Sequence, residues 1–352
     1  MRPWLTSHWQ GLVGLGERMP HALLFVGPAG LGKRELADAL AARLLCERPQ
    51  ADGHACGHCE ACRWRLAGNH PDLYCVEPAA HSASAEDDAA AAEGGAGKAA
   101  STQILIEQIR EVQAALTLTA HRPGWRVVLI DPAEAMNAFT ANALLKLLEE
   151  PPSQCVFVLL SSAPRRLLPT VRSRCRQWTF ARPQPDELAR WAPQAPAGAS
   201  ELLALCAGMP LAAERLARAG GLALMQRFVA DLGKLDVNGA LRLAGQWESW
   251  LKSKEALAAG FGRPQLTEWM QRWVGDLAML CLGGEVRFFP AQEKTLRKLA
   301  AHSAAASAHG CYEDISRIRR LGTHPLNLRL ALEDMLMRYA REFAAPAAGD
   351  RP

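Results

Sequence analysis

The hydrophobic pattern of this chain changes period about halfway along. Over roughly the first 180 residues, short and fully apolar runs alternate with segments whose apolar positions recur every three or four residues. From about Leu222 onward only the helical spacing persists. The apolar runs His21 to Val26, Val127 to Ile130 and Cys155 to Leu160 predict buried strands, and Asn69 to Glu77 reads as a loop entering another. Between them lie three predicted helices. One carries Leu36, Leu40 and Leu44, and the next Ile106, Ile109, Val112 and Leu116. The third, Asn142 to Glu150, reads NALLKLLEE and is stopped by Pro151 and Pro152. His121 to Trp125 is read as a turn. The alternation predicts an α/β fold for this half. Beyond the linker Pro183 to Pro185, Asp186 is the expected N-cap of a helix beginning at Glu187. Near the end of the chain Leu328, Leu332, Met335, Leu336, Tyr339 and Phe343 form one helical stripe. Trp247, Trp250, Trp269 and Trp273 stand at three- and four-residue spacing, which favours core or subunit contact over a stacking platform for bases. No repeat and no heptad run is present.

One stretch breaks the pattern. Ala79 to Ala100 is rich in Ala and Gly and poor in large apolar residues, and is predicted to be a disordered surface loop. Such an insertion is tolerated because closure costs only about 0.6 kcal/mol more for each doubling of length.

Composition narrows the class. A chain of 352 residues with ample apolar content predicts two or three domains rather than one core. No apolar run approaches the length of a bilayer span, and the first ten residues, MRPWLTSHWQ, contain no signal-peptide core. A cytoplasmic protein without membrane contact is expected. The net charge of +4, from 40 basic and 36 acidic residues, is too slight to predict nucleic-acid binding by itself. The ten cysteines of such a chain are expected as thiols or metal ligands, not disulfides.

Candidate chemistry begins directly after the first strand. Gly27, Gly30, Gly32 and Lys33 follow the order G-x-x-x-x-G-K, in which glycines let backbone N–H groups converge on a phosphate at a helix N-terminus. The hydroxyl residue that should come next, to hold Mg²⁺, is Arg34. A glycine turn that binds nothing is the plainer alternative. The strand VVLI ends at Asp131 and resembles a Walker B strand, whose Asp attracts the metal. The following position, where an active ATPase has a water-polarising Glu, is Pro132. Glu134 comes two positions too late and is read as a solvated acid. Ser161 and Ser162, at the end of the next strand, are turn formers that could reach a phosphate.

Cys46 and the trio Cys56, Cys59 and Cys62 make four thiolates, the number that a closed tetrahedral Zn²⁺ site requires. His54 and His58 lie close enough to replace one of them. A closed site leaves no position for substrate, so this zinc is expected to be structural. Buried free cysteines are the alternative. Further on, no acid occurs between Pro151 and Pro185, yet Arg165, Arg166, Arg172, Arg174, Arg176 and Arg182 do. Crowded guanidinium groups call for a phosphate or a partner surface, with a solvated basic edge as the bland alternative.

Four features together, HALLFVGPAGLGK, the four-cysteine module, LLKLLEEPP (Leu144 to Pro152) and SRC (Ser173 to Cys175), resemble the bacterial clamp-loader subunits of the AAA+ ATPase fold, most nearly their stator type. The resemblance spans residue 1 to about residue 345 except the Ala79 to Ala100 loop. It implies a RecA-like α/β domain over 1–180 carrying the zinc module at 46–62, a small helical lid over 181–221, and an all-helical collar over 222–352. It also implies a role in DNA replication alongside the tau/gamma ATPase subunits and the delta subunit, with the sliding clamp and primer-template DNA reached through the complex. Arg174 is implied as an arginine finger offered in trans to ATP on a neighbour. Gly27, Gly30, Gly32, Lys33 and Asp131 are implied to form a degenerate site with weak ATP or ADP binding at most. In AGMPLAA, Ala207 to Ala213, Leu211 stands where nucleotide-using relatives carry a sensing Arg. The chain is therefore expected to be neither a polymerase nor an active ATPase. Two other classes compete: a working motor subunit of the same loader, and a zinc-dependent nucleic-acid module. The latter needs more basic and aromatic residues than Arg48, Arg63, Trp64 and Arg65 around the cysteines.

Overall fold

The computed structural model describes residues 1–81, 101–117, 124–301, 303–320 and 327–343. Most of the expected loop over residues 79–100 and most of the expected turn at residues 121–125 lie outside the described residues. The chain separates into two compact units, Met1–Leu188 and Ala189–Pro352.

The first unit is built on five parallel strands: β1 (Ala22–Val26), β2 (Leu73–Val76), β3 (Arg126–Ile130), β4 (Cys155–Ser161) and β5 (Arg176–Thr179). Their order in the sheet is β2-β3-β4-β1-β5. The chain therefore leaves β1, crosses to the far edge, returns through β3 and β4 to β1's side, and then places β5 on β1's other flank. In register, Val76 faces Ile130, Ile130 faces Leu159, and Leu24 faces Leu159 from the other side. Helices cover the sheet, so β3 and β4 are buried throughout, which is why they read as unbroken apolar runs. Burying Val156, Phe157, Val158 and Leu159 contributes about 6–12 kcal/mol before entropy.

The edge strand β5 is the element hidden from the hydrophobic pattern. Arg176, Gln177 and Thr179 are exposed, because an edge strand needs ladder bonds on only one side and tolerates charge on the other. Two helix starts also differ from expectation. Asn137 Oδ1 accepts from Thr140 N at 2.9 Å, so the helix expected from Asn142 runs instead over Ala138–Glu149. The helix expected from Glu187 runs over Pro185–Trp191: Pro185 takes the first helical position and Glu187 reaches back to Gln184 N at 2.7 Å, leaving Asp186 in the first turn rather than at the cap.

The described residues of the second unit form helices and their connections, with no strand among them. Its main helices are Pro210–Arg218, Gly221–Leu232, Ala240–Leu251, Arg263–Cys281, Glu293–Ala300, Ala305–Arg320 and Leu328–Phe343. All four expected tryptophans are core. Phe228 sits 5.7 Å from the rings of Trp247 and Trp269 and 6.1 Å from Trp273. Trp273 Nε1 donates to Tyr339 Oη at 3.0 Å, and Tyr339 Oη donates on to Leu232 O at 3.3 Å. Of the expected stripe, Leu332, Met335, Leu336, Tyr339 and Phe343 are buried, while Leu328, at the first position of the helix, is half-buried. No helix among the described residues is long and apolar enough to cross a membrane.

Candidate nucleotide and metal sites

Strand order brings the ends of β1, β3 and β4 side by side, so the glycine loop, Asp131 and Ser162 meet at the carboxyl edge of the sheet, where open α/β sheets bind ligands. Gly30 and Gly32 have φ of +84° and +87°, a left-handed turn that other residues resist. Gly27 is required for a different reason: a Cβ there would lie 2.9 Å from the Cβ and carbonyl oxygen of Phe180.

Lys33 opens the helix Lys33–Leu45, but its ammonium turns back on the loop. Nζ donates to Gly27 O at 2.7 Å, Pro28 O at 2.9 Å and Ser162 Oγ at 3.0 Å, which accounts for all three of its protons. Burial pushes the Lys33 ammonium below its ordinary value, against the opposing pull of Asp131 and Glu134. Arg34 meets a ring of acids. Its Nε donates to the Asp38 carboxylate at 3.1 and 3.3 Å, and its Nη1 to Glu77 Oε2 at 3.4 Å and Asp131 Oδ2 at 3.3 Å. Burial works against this charge, but the Asp38 and Asp131 carboxylates outweigh it and hold Arg34 protonated. A Mg²⁺ ion demands oxygen ligands at about 2.1 Å in octahedral array. Asp131 already shares its carboxylate with a guanidinium, and no hydroxyl stands at Arg34, so these residues do not fit a metal–nucleotide complex.

Glu134 is not the solvated acid that its position suggests. Its Oε1 accepts from the backbone N–H of Ser162 at 2.9 Å and of Ala163 at 3.1 Å, stitching the end of β4 to the segment after β3.

The structure places Arg174 at the last position of a short helix, Pro169–Arg174, opened by Pro169. Its Nη1 donates to Thr170 O at 3.0 Å, and its Nη2 pairs with Glu149 at the end of the Ala138–Glu149 helix. The acid missing from the neighbouring sequence is thus supplied by the LLKLLEEPP segment, which packs against SRC. About a third of the Arg174 side chain remains exposed. Arg165, Arg166, Arg176 and Arg182 are exposed, and Arg172 is half-buried.

The four cysteines converge. Cys46 caps the C-terminus of the Lys33–Leu45 helix and Cys59 the N-terminus of the Glu60–Leu66 helix. All four Sγ atoms lie within 4.8 Å of one another, with Cys46 and Cys59 at 3.9 Å and Cys56 and Cys62 at 4.0 Å. Those separations are far from a disulfide and close to the edge of about 3.8 Å expected of a tetrahedron with Zn–S of about 2.3 Å. Backbone N–H groups of Cys56, Cys59 and Cys62 point at the sulfurs of Cys46, Cys56 and Cys59 at 3.3–3.4 Å, an arrangement that favours thiolates. The histidines stand apart from this set. His54 stacks on Trp9, and His58 is exposed with Nδ1 2.8 Å from Cys56 O.

Sequence reasoning missed three pairings in these sites, Glu77 and Asp131 with Arg34 and Glu149 with Arg174, because the partners lie far away along the chain. Asp38 was findable: four residues after Arg34, it shares a helix face.

Comparison with known proteins places these sites in context. Residues 14–184 match the family described as DNA polymerase III, delta subunit. The delta-prime subunit of DNA polymerase III from Pseudomonas aeruginosa is 42% identical over 254 residues, 70% of this chain and 71% of that protein. The Escherichia coli K12 delta-prime subunit is 30% identical over 353 aligned positions, covering 96% of this chain and 94% of that one. A solved structure of a gamma-subunit-related protein from Thermotoga maritima shares the fold, with a TM-score of 0.50 at 19% identity over 95% of this chain and 99% of that one.

Proposed function

The chain belongs to the DNA polymerase III delta-prime subunit family, and from that membership we propose that it is the stator of a clamp loader, helping neighbouring ATPases to open a ring-shaped sliding clamp and place it on primed DNA. Its partners on this reading are the tau/gamma ATPase subunits and the delta subunit in the cytoplasm, with clamp and primer-template DNA met through the assembly. On this reading residues 1–180 serve as the nucleotide-type domain, residues 181–221 as a helical lid, and residues 222–352 as a collar that joins subunits. Cys46, Cys56, Cys59 and Cys62 hold one structural Zn²⁺, which fixes the loop between the Lys33–Leu45 and Glu60–Leu66 helices and takes no part in chemistry.

Arg174 carries the active role: its guanidinium is offered to the phosphates of ATP on the neighbouring subunit. The supporting observation is its holding geometry. Thr170 O and Glu149 aim the side chain, yet a third of it remains open to a partner. Exposed pairs of this kind contribute about 1 kcal/mol or less, so Glu149 can be exchanged for a phosphate at small cost. A planar fork that bonds two phosphate oxygens suits arginine and cannot be reproduced by lysine. The competing reading, a motor that hydrolyses its own ATP, is opposed by Arg34 at the metal position and Pro132 at that of the water-polarising acid.

The test is reconstitution of the loader with Arg174→Ala or Arg174→Lys. Assembly should survive, while the DNA- and clamp-stimulated ATPase rate falls. Single fingers in other phosphoryl-transfer systems are worth about 10³–10⁵, and a loader with several sites should lose less than that overall. An assembled mutant that hydrolyses ATP and loads clamps at the unmutated rate would overturn the assignment.

A further inference from the structure

Arg34 lies at the position from which relatives that use nucleotide hold the metal, and its contacts come from three separate elements: Asp38 on its own helix, Glu77 just after β2, and Asp131 just after β3. We propose that Arg34 is a built-in counter-cation that stands in for the divalent metal beside Asp131 and, with Lys33 folded back onto the glycine loop, closes this site to a metal–nucleotide complex. The inference rests on reading the domain as a stator. It goes further by naming the residue that refuses the metal and what that residue does instead.

The geometry suits the substitution. A metal would gather oxygen ligands from around the carboxyl edge of the sheet, and the guanidinium gathers the same kind of ligand through N–H donors spread over a rigid fork. Nε serves Asp38 while Nη1 serves both Glu77 and Asp131, so one side chain ties helix, β2 and β3 together without any bound ligand. Arginine does not lose its proton in proteins, so a metal cannot displace it by neutralising it; the side chain would have to swing away from three carboxylates at once. A cation approaching Asp131 would meet a like charge 3.3 Å from its ligand oxygen. Lys33 removes the other half of the site. In a phosphate loop the lysine serves the phosphates, whereas here its three donors are bound to Gly27 O, Pro28 O and Ser162 Oγ. The site is thereby held together by the chain's own charged side chains.

The experiment uses the purified full chain, a non-hydrolysable ATP analogue, and Mn²⁺ as a paramagnetic probe for the metal. Analogue affinity is measured with and without Mg²⁺, and bound Mn²⁺ is counted by electron paramagnetic resonance in the presence of the analogue. For the unmutated chain, Mg²⁺ should leave affinity unchanged and no Mn²⁺ should bind at the loop. Arg34→Thr restores a hydroxyl and frees Asp131, and should gain analogue binding that Mg²⁺ strengthens at least about tenfold, equivalent to about 1.4 kcal/mol. Arg34→Gln keeps most of the bulk without the charge and is scored in the same way if the threonine variant does not fold. Mn²⁺ bound at the unmutated loop, or a folded Arg34 variant with no metal-dependent gain, would overturn the proposal. If neither variant folds, the unmutated chain decides: bound Mn²⁺ refutes the proposal and its absence sustains it. Mixing each form with the neighbouring ATPase subunits separates the two readings. Failure of the unmutated chain to assemble counts against the stator, whereas failure of the Arg34 assignment leaves assembly intact.

Discussion

The indole of Trp9 lies flat against the imidazole of His54, with ring centres 4.6 Å apart and planes 11° from parallel, while Trp9 Nε1 donates to Asp52 O at 3.2 Å. The loop that carries the cysteines is thereby fastened to the N-terminal helix Thr6–Val13, and any loosening of that loop reaches a fluorescent side chain. Removing zinc with a strong chelator should change tryptophan emission, and the change should be smaller in Trp9→Phe, where Trp64, two residues from Cys62, still reports on the loop. Structural zinc contributes about 10–16 kcal/mol in isolated fingers, but here the first unit has its own apolar core, so its main melting transition should survive. Protein purified without chelator should contain one zinc per chain, and Cys59→Ser should lower that content. Metal analysis that finds none would refute the site.

His8 gives a pH dependence with a defined sign. Its Nδ1 accepts from Trp178 Nε1 at 2.9 Å and its ring stacks on Phe180, an arrangement that requires the neutral imidazole. Burial lowers the pKa of His8 below 6.5, with the charge of Glu187 pulling the other way. Protons therefore bind the unfolded chain more readily. The stabilisation is fully present above pH 6.5 and is lost as the pH falls through the lower folded value. His8→Gln keeps an acceptor for Trp178 but cannot titrate. Denaturant melts at pH 7 and pH 5.5 should show less acid destabilisation in the variant, by up to about 1.4 kcal/mol per pH unit. Equal slopes in both proteins would rule His8 out as the group responsible.

Tyr339 ties three helices of the second unit through one hydroxyl, which accepts from Trp273 and donates to Leu232 O. Tyr339→Phe fills the same space but leaves a buried indole N–H and the Leu232 carbonyl with a partner fewer. The expected loss is about 1–3 kcal/mol of stability with no change in helix content. Calorimetry of the full chain measures it, and an unchanged melting profile would show that the hydroxyl adds no net stability.

How much of this was legible along the chain depends on how far each contact reaches. The central strands announced themselves because both faces of a parallel sheet are buried, so VVLI and CVFVLL carry no polar break. β5 did not, because an edge strand exposes Arg176 and Gln177 and looks like loop. The cysteine cluster was legible because three of its thiols lie within seven residues, and short spacing leaves few ways to fold apart. That the cluster is made of four cysteines and leaves His54 out needed the structure, since only there does the imidazole stack on Trp9, far along the chain.

The arginines mark the boundary most clearly. The sequence by itself puts Arg34 where the phosphate-loop motif has a hydroxyl residue, Pro132 where the resembling strand of an active ATPase is followed by an acid, and Arg174 in a stretch with no carboxylate. Spacing within a motif decides such points because the local backbone is the same wherever the motif occurs. Only the tertiary structure decided where those charges find their partners. Strand order brings Glu77 and Asp131 to Arg34, and helix packing brings Glu149 to Arg174, over separations in sequence that local pattern cannot span. Electrostatic pairing acts through distance in space, and which distances are short is set by the order in which the strands pair.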